Sequence, residues 1–475
     1  MNRNRFKVAI EQLEARVLFS AGGAADLVHT TAHLSIPKWQ PATISTGSSA
    51  FFAGGYTRQP NTDVVDIYHS QTNSWTVEKL STARAGNVAA RAGAKLIFAT
   101  GISPASNTMD IFDTKTSKWS VVNFRRAIQW SLAVSTSNAA VFVGGNGDTE
   151  VYDARTQRWY HSKLPNIEIT VGTAVGEQAL FESNAGPDPL IYRYNENTRK
   201  WTKIAFPPHL GGPASATTIG TRAIFVGAGS TPNGLVSTAY DSVTGLWSVT
   251  PLPANTAVSS ATSIGSKALF AGDANDIVSV YDATTNGWST TNLGQANFRP
   301  VGTSVGNHAL FAGGSISDTQ AIVPTDAVDI FTDTNPTAVL SGRLTGGIGH
   351  RDMVTVVNTG DADLAGPYSI NLYASTDRTL TGALLVGSRV VGVPLAIGAS
   401  ATFGIRTIPP KDLPAGTYHL LAAVEDGSGH LTPIAAEDST FRVGPAHTAN
   451  PAIVQTTKRF AGAFTRATHL AGQWT

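Results

Sequence analysis

The 475-residue sequence contains no cysteine, only three methionines and no long uninterrupted run of apolar residues. The absence of cysteine excludes disulfides, thiolate metal sites and cysteine nucleophiles. Because no stretch of about 18 apolar residues occurs, the sequence predicts no membrane-spanning helix. Charged residues are scarce at 14%, and 34 basic against 33 acidic side chains leave a net charge of +1. No basic run is interleaved with aromatic residues, so we expect no nucleic-acid partner.

What the sequence has instead is 42% hydrophobic residues and 46 glycines. Such a chain is too apolar and too weakly charged to remain disordered. Many turn residues beside many β-branched residues are typical of an all-β protein with short strands. The length suits two to four domains.

The first 26 residues are interpreted as an export segment that lies outside the fold. A basic start leads to Val17-Leu18-Phe19-Ser20-Ala21, a short apolar run that ends in small residues. Charged residues interrupt the region before it, so an amphipathic helix is the alternative. The stretch from Glu11 to Ala21 resembles an N-terminal motif of large exported bacterial proteins, close to LE-x-R-x-L-L-S-A. This resemblance implies a secreted or cell-surface protein.

An internal repeat determines the expected architecture. Seven segments share a short apolar strand with a central phenylalanine, most of them ended by glycine, and they recur every 39 to 46 residues. The aligned residues are Phe52, Phe98, Phe142, Phe181, Phe225, Phe270 and Phe311. A second aromatic residue follows each of them, and in six units a tryptophan lies seven residues further on. These are Trp75, Trp119, Trp159, Trp201, Trp247 and Trp288.

The constant gap of seven residues predicts a tight hairpin between the second aromatic residue and the tryptophan. Aspartates begin several of these hairpins, and we expect them to cap the turn backbone rather than to form a carboxylate array. They are Asp113, Asp153, Asp241 and Asp282. Each period therefore holds four short strands, the content of one propeller blade.

Seven such units predict a seven-bladed β-propeller over residues 27–334. The seventh unit lacks the tryptophan, since Ala338 occupies its position, and six blades are the alternative. A ring must close, or its end blades expose strand edges. We expect the segment from Val28 to Pro37 to supply the missing outer strand.

The repeat resembles the kelch family, which carries a glycine pair after an apolar strand and a tyrosine followed at fixed distance by a tryptophan. The glycine pair is complete at Gly54-Gly55, Gly144-Gly145 and Gly313-Gly314. The other four units keep one glycine or none, and the fourth departs most. The resemblance covers about residues 28–334.

Residues 335–443 lose this period and show alternating strands separated by turn signals, as expected for an Ig-like β-sandwich. Three short segments resemble the CARDB family of bacterial adhesion-related domains. They are Val357-Asn-Thr-Gly360, Leu372-Tyr-Ala-Ser-Thr-Asp377 and Leu413-Pro-Ala-Gly-Thr-Tyr418. That resemblance implies an extracellular module without catalytic residues. Residues 444–475 are interpreted as a flexible tail.

In kelch-like rings, one mouth of the central channel is lined by residues just before the innermost strands. Three arginines among them could hold a carboxylate or an acidic peptide. The alternative is that these arginines brace neighbouring blades or are solvated. The candidate ligand-binding residues are Gln40, Arg84, Arg126, Glu168, Asn255 and Arg299.

We interpret the chain as an exported, non-enzymatic binding or scaffold protein, with a protein or extracellular glycan as partner. The eleven histidines show no metal-ligand spacing, and we expect no catalytic residue, metal or cofactor. The alternative is a carbohydrate-active enzyme, epimerase- or sialidase-like, with its site at the channel mouth. For that alternative, Glu168 and His209 are the acid–base candidates.

Overall fold

The computed structural model describes residues 26–58, 61–100, 106–165, 168–183, 190–207, 210–229, 234–252, 257–316, 322–346, 351–410, 413–444 and 453–454. Within these ranges every regular element is a β-strand, which confirms the all-β prediction. The predicted export segment and nearly all of the predicted tail lie outside the described residues.

Twenty-eight strands precede residue 334. They are β1 (Leu27–Lys38), β2 (Ala42–Ser45), β3 (Ser49–Ala53), β4 (Val64–His69), β5 (Ser74–Lys79), β6 (Val88–Ala92), β7 (Lys95–Ala99), β8 (Ser106–Asp113), β9 (Lys118–Ile128), β10 (Trp130–Ser135), β11 (Ala139–Gly144), β12 (Asp148–Asp153), β13 (Arg158–Lys163), β14 (Ile169–Val175), β15 (Gln178–Ser183), β16 (Leu190–Asn195), β17 (Lys200–Ala205), β18 (Leu210–Ile219), β19 (Arg222–Gly229), β20 (Leu235–Asp241), β21 (Trp247–Pro251), β22 (Val258–Ile264), β23 (Lys267–Gly272), β24 (Asn275–Asp282), β25 (Gly287–Asn297), β26 (Val301–Val305), β27 (His308–Ala312) and β28 (Thr325–Asp333).

These strands form propeller-like antiparallel sheets of four strands each. Sheets 1 to 6 are β2–β5, β6–β9, β10–β13, β14–β17, β18–β21 and β22–β25. Sheet 7 has the order β1-β28-β27-β26, so its outer strand comes from the N-terminal end of the described chain. The first strand of each sheet contacts the first strand of the next, and β26 contacts β2. The sheets therefore follow one another around a closed ring.

The closing strand β1 pairs antiparallel with β28, with His29 opposite Phe331. The two rings stack with centroids 4.6 Å apart and planes 13° apart. His29 thus occupies the place that tryptophan fills in the other sheets. The predicted closure by the segment from Val28 to Pro37 is confirmed.

The hairpins between the third and fourth strands explain the constant gap of seven residues. Tyr68 lies directly opposite Trp75 in sheet 1, with ring centroids 5.2 Å apart, and the five other tyrosine or phenylalanine–tryptophan pairs are also cross-strand partners. The residue two before tryptophan has a positive φ, as at Asn73 (φ 47°) and Gly245 (φ 73°). Asp113 accepts hydrogen bonds from backbone N–H groups inside its turn at 2.9 and 3.3 Å. The predicted turn-capping role of the aspartates is confirmed there.

The core lies between neighbouring sheets. Each aligned phenylalanine is buried, and each lies opposite a small residue of the first strand. These partners are Thr43, Ala89, Ala133, Gly172, Ala216, Ala261 and Gly302. Separate apolar clusters fill every junction between successive sheets, including the one between sheets 7 and 1, where Phe52 and Leu310 belong to one cluster.

Beyond residue 334 the described chain forms a C-terminal module of two sheets. A three-stranded sheet has the order β29-β30-β33 and a five-stranded sheet the order β32-β31-β34-β35-β36. One apolar core joins the two sheets, with Val356 and Leu372 among its fully buried members. The strands are β29 (Leu340–Thr345), β30 (Arg351–Asn358), β31 (Tyr368–Ser375), β32 (Leu384–Val391), β33 (Ser400–Arg406), β34 (Gly416–Glu425), β35 (Leu431–Val443) and β36 (Ile453–Val454).

The module sits on one face of the ring, which we call the turn face because it carries the turns between the first and second strands of each sheet. Arg343 Nε lies 2.7 Å from an oxygen of Glu177, in the turn of sheet 4. Asp361 lies so close to Gly265, in the turn of sheet 6, that a Cβ there would collide with its carboxylate. These contacts hold the module against sheets 4 to 6.

The closing strand can be tested at Leu34, which is 3% exposed and belongs to the cluster between sheets 7 and 1. Leu34→Ala should lower the free energy of unfolding by about 2–5 kcal/mol, because it leaves a cavity in that junction. Chemical denaturation of the full chain measures this. The exposed neighbour Ser35→Ala is the control and should stay within about 0.5 kcal/mol of wild type. Equal stability of both variants would show that β1 does not close the ring.

Asp361 should make stability depend on pH. Burial, together with the nearby charge of Asp333, raises the pKa of Asp361 from 3.8 to about 6, against the lowering effects of the Thr337 N–H and of Lys267. A carboxyl group with a raised folded-state pKa takes up its proton more readily in the folded chain, so stability falls as pH rises from about 4 to about 6. Asp361→Asn should flatten this part of the profile in denaturation series at several pH values. Parallel profiles of wild type and variant would contradict the assignment, and Asp326→Asn, at an exposed carboxylate, is the control.

Candidate functional site

The face opposite the turn face carries the linkers between successive sheets, and we call it the linker face. All six candidate residues from the sequence were expected there, just before the innermost strands. The structure does not place all of them in equivalent positions. One is buried, one is half-buried and two are exposed, while the Arg126 side chain and Asn255 lie outside the described part.

Arg84 is buried, with 1% of its surface exposed. Its Nη2 lies 2.5 Å from Asp110 Oδ2, and Nη1 donates to the Thr108 carbonyl at 3.2 Å. Burial lowers the pKa of Arg84, and the Asp110 carboxylate partly offsets this effect. Arg84 therefore holds the linker between sheets 1 and 2 in place. Its buried contact with Asp110 agrees with the alternative that such an arginine braces the neighbouring sheet, and ligand binding by the candidate residues stays a prediction.

The structural equivalent of Arg84 is Lys38, which the sequence analysis missed. Lys38 precedes β2 as Arg84 precedes β6, by four residues each (38 to 42 and 84 to 88). Its Nζ lies 2.6 Å from Asp66 Oδ2, with both side chains buried, and donates to the Val64 carbonyl at 2.9 Å. Burial lowers the pKa of Lys38, and Asp66 partly offsets this.

A third buried aspartate completes the pattern in sheet 7. Asp329 accepts from the Gly294 N–H at 2.7 Å, and one of its oxygens lies 2.8 Å from His29 Nε2. A sequence signal was present, since Asp-Ile-Tyr/Phe recurs in three units. It occurs at Asp66-Ile67-Tyr68, Asp110-Ile111-Phe112 and Asp329-Ile330-Phe331.

Gln40 and Arg299 are equivalent to each other, because each lies two residues before its innermost strand with a positive φ of 51° and 49°. Gly86 occupies the same position in sheet 2, with φ 59°. The Arg299 side chain is exposed and that of Gln40 is half-buried. Of the predicted arginines, Arg299 is the one whose described side chain reaches solvent.

The remaining predicted residues lie on sheets 3, 4 and 6. Glu168 is exposed at the start of sheet 4. Arg126 belongs to β9, but its side chain lies outside the described part, as does the whole of Asn255. His209, named for the enzyme alternative, is also outside it. Among the four whose side chains are described, Gln40, Arg84, Glu168 and Arg299, no hydrogen bond or ion pair joins one to another.

Glu182 is a buried carboxylate that breaks the repeat. The residues directly after the aligned phenylalanines are otherwise apolar: Ala53, Ala99, Val143, Val226, Ala271 and Ala312. Glu182 is 0% exposed; Thr170 donates to its Oε2, and Oε1 has no partner in the described structure. Burial raises its pKa, and the charge of Glu168 raises it further. A buried carboxyl group with a raised pKa thus lies close to an exposed one.

An exposed apolar surface lies where sheet 7 meets sheet 1 on the linker face. The Gly314 N–H donates to the Lys38 carbonyl at 3.0 Å, which joins the loop of sheet 7 to the linker of sheet 1. Ile316 and Ile322 are 58% and 50% exposed, and the Ile316 N–H donates to Val323 at 3.1 Å, so the two isoleucines lie close together. We call this region the seam surface, and it comprises Trp39, Tyr56, Phe298, Arg299, Ile316 and Ile322.

The aromatic residues of the seam surface lie at backbone positions joined by β-bridges. Trp39 and Tyr56 form a β-bridge, with ring centroids 5.4 Å apart. Phe298 forms the equivalent bridge to Ser315. All three aromatic side chains are half-buried, so each presents part of its ring to solvent from a fixed backbone position.

The described ranges contain no cluster of three or more histidine, aspartate or glutamate side chains able to hold a metal ion. In the same ranges no helix is long and apolar enough to cross a membrane.

Neither a protein-family model nor a curated protein matches this chain. Among solved structures, it is similar to a β-propeller domain from Myceliophteria thermophila, with 10% identity and a TM-score of 0.47 over 64% of this chain and 99% of that chain. It is also similar to a chain of a mitotic checkpoint complex, with 10% identity and a TM-score of 0.47 over 70% of this chain and 96% of that chain.

The structural role of Arg84 can be tested by a double-mutant cycle. Arg84→Met should lower the free energy of unfolding by about 3–5 kcal/mol, because Asp110 is left buried without a counter-charge. Adding Asp110→Leu should recover much of that loss in chemical denaturation. Arg299→Met, at an exposed arginine, is the control and should leave stability unchanged. A loss below about 1 kcal/mol in the single variant would mean that Arg84 is not part of the core.

Proposed function

We propose that the protein is an exported, non-enzymatic binding or scaffold protein that captures a partner through the seam surface. In this proposal residues 27–334 form a seven-bladed, kelch-type propeller, and residues 335–443 form an Ig-like, CARDB-like sandwich. Export and a cell-surface or secreted location are supported by the N-terminal motif in the sequence. The observation that carries the binding function is the seam surface.

The seam surface has the composition of a recognition site. Aromatic residues and arginine are enriched at the centres of protein interfaces, and Trp39, Tyr56 and Arg299 supply them here. The two isoleucines are large apolar side chains that are at least half exposed, and clustered exposed apolar groups mark interaction sites. Rigid rings of this kind lose little conformational entropy on binding.

The chemistry favours a protein segment over a neutral glycan. Arg299 offers a planar fork that binds carboxylates with two parallel hydrogen bonds, while Ile316 and Ile322 offer an apolar contact but no hydrogen bond. A partner that places an acidic side chain beside apolar ones would satisfy both. A glycan would use the aromatic faces and leave the isoleucines uncovered.

The proposal predicts that the double variant Arg299→Ala, Ile316→Ser loses binding on a combined peptide and glycan array probed with the full chain. We expect wild type to retain peptides that combine acidic and apolar residues, and the variant to bind them at least about tenfold more weakly, since it lacks one charged hydrogen-bonding group and one apolar anchor.

The matched control is Arg158→Ala, Val121→Ser, which removes an exposed arginine and an exposed valine from outer strands of other sheets. It should bind like wild type. If the seam variant keeps the same binding pattern as wild type, the seam surface is not the binding site. If wild type retains only neutral glycans, the partner class is wrong.

A further inference from the structure

A polar cavity of about 290 Å³ lies between the turn face of the ring and the C-terminal module. The ring contributes the turns of sheets 6, 7 and 1 and the side chain of Arg91 from sheet 2. The module contributes two turns, around Thr359 and around Gly398. The cavity is therefore composite, since neither part of the chain encloses it alone.

Arg91 breaks the repeat in the same way that Glu182 does on the other face. It occupies a fixed register position of the first strand, opposite the second residue before the aligned phenylalanine in each sheet. The seven residues at that position are Ser45, Arg91, Ser135, Ala174, Thr218, Ser263 and Ser304. All except Arg91 are small and uncharged, so packing of the sheets does not require an arginine there.

The guanidinium of Arg91 is only partly used within the described residues. Its Nε donates to the Gly93 carbonyl at 2.8 Å, which fixes the plane of the group. No described residue accepts a hydrogen bond from Nη1 or Nη2. Neither atom is among the fully buried polar atoms that lack a partner. Nη1 and Nη2 of Arg91 can therefore donate hydrogen bonds to a ligand in the cavity.

No carboxylate lines the cavity. The adjacent Asp361 directs one oxygen to the Thr337 N–H at 2.7 Å and is not among the lining residues. Burial lowers the pKa of Arg91 with no opposing contribution from an acid, whereas for Arg84 the Asp110 carboxylate offsets the effect. Among the described residues, Arg91 is thus a partly desolvated cation without a counter-ion, a situation that an anionic ligand would relieve.

We propose that this cavity binds a small carboxylate ligand rich in hydroxyl groups, of the sugar-acid class, with the Arg91 fork on the carboxylate. Ser304 and Thr359 also line the cavity, and the Thr359 hydroxyl, which donates to the Val339 carbonyl, keeps its lone pairs to accept from the hydroxyl groups of a ligand. The volume lies at the small end of ligand pockets, which fits one sugar unit rather than a chain. The site lies on the opposite face from the seam surface and does not depend on the proposed function.

The test is isothermal titration of the full chain with galacturonate, galactose and acetate. We expect galacturonate to bind at least about tenfold more tightly than either of the others, because only it has both the carboxylate and the hydroxyl groups. Arg91→Gln should weaken galacturonate binding at least about tenfold. No detectable galacturonate binding at concentrations up to about 20 mM, well above the roughly 1 mM of weak ligands, would overturn the site. Equal binding of acetate would overturn the sugar-acid class.

A second variant covers the case in which Arg91→Gln fails to fold. Gly47 lines the cavity, and a Cβ there would meet nothing within 4 Å, so Gly47→Asp fits and places a competing carboxylate near Arg91. It should also weaken galacturonate binding at least about tenfold. The matched control is Gly392→Asp, at another open glycine outside the cavity. Unchanged binding in Gly47→Asp, or an equal loss in the control, would contradict the proposal.

Discussion

Burial of each sheet between its two neighbours is the constraint on which the rest of the ring depends. A four-stranded sheet cannot cover its own two faces, so the aligned phenylalanines must enter the adjacent sheets. The first strand has to leave room for the neighbouring sheet. At Gly172 and Gly302 an added Cβ would lie 2.9 Å from neighbouring atoms, closer than real side chains approach. The recurring small residue opposite phenylalanine is thus as much a part of the repeat as the phenylalanine itself.

The same constraint explains why the ring cannot end freely. If every sheet needs two neighbours, the last sheet must also carry a complete outer strand, and β1 provides it. His29 serves two functions there, since its ring stacks on Phe331 and its Nε2 lies 2.8 Å from Asp329. One residue of the closing strand therefore replaces the missing tryptophan and also pairs with the buried aspartate of sheet 7.

The sequence predicts well those features that repeat at constant spacing. Tyr68 and Trp75 are always seven residues apart because one hairpin joins them, so their pairing could be inferred without a structure. The same reasoning gives the sheet content and the closing strand. The linkers before the innermost strands have no such constant pattern. The sequence therefore suggests that Gln40 and Arg84 are equivalent, whereas in the structure Lys38 is the counterpart of Arg84.

The partners of the buried charged side chains also could not be predicted from the sequence. Lys38 precedes β2 and Asp66 lies in β4, so two strands separate them along the chain. Only the course of the linker brings their side chains together. For Glu182 and Arg91 the signal was present as a departure from the repeat, but its meaning depends on burial and on partners. A substitution in a repeat can be neutral at the surface, whereas in a buried position it requires compensation.

The two faces of the ring differ because the module covers only one of them. On the linker face the basic residues Lys38 and Arg84 are buried against aspartates, and the large exposed apolar side chains Ile316 and Ile322 belong to the seam surface. On the turn face the module contacts sheets 4 to 6 and leaves Arg91 beside a composite cavity. Removing the module would take away part of that cavity but none of the seam surface, since no seam residue belongs to it. Recognition on the two faces therefore depends on different parts of the chain. The seam surface depends on the ring alone, whereas the cavity depends on how the module contacts the ring.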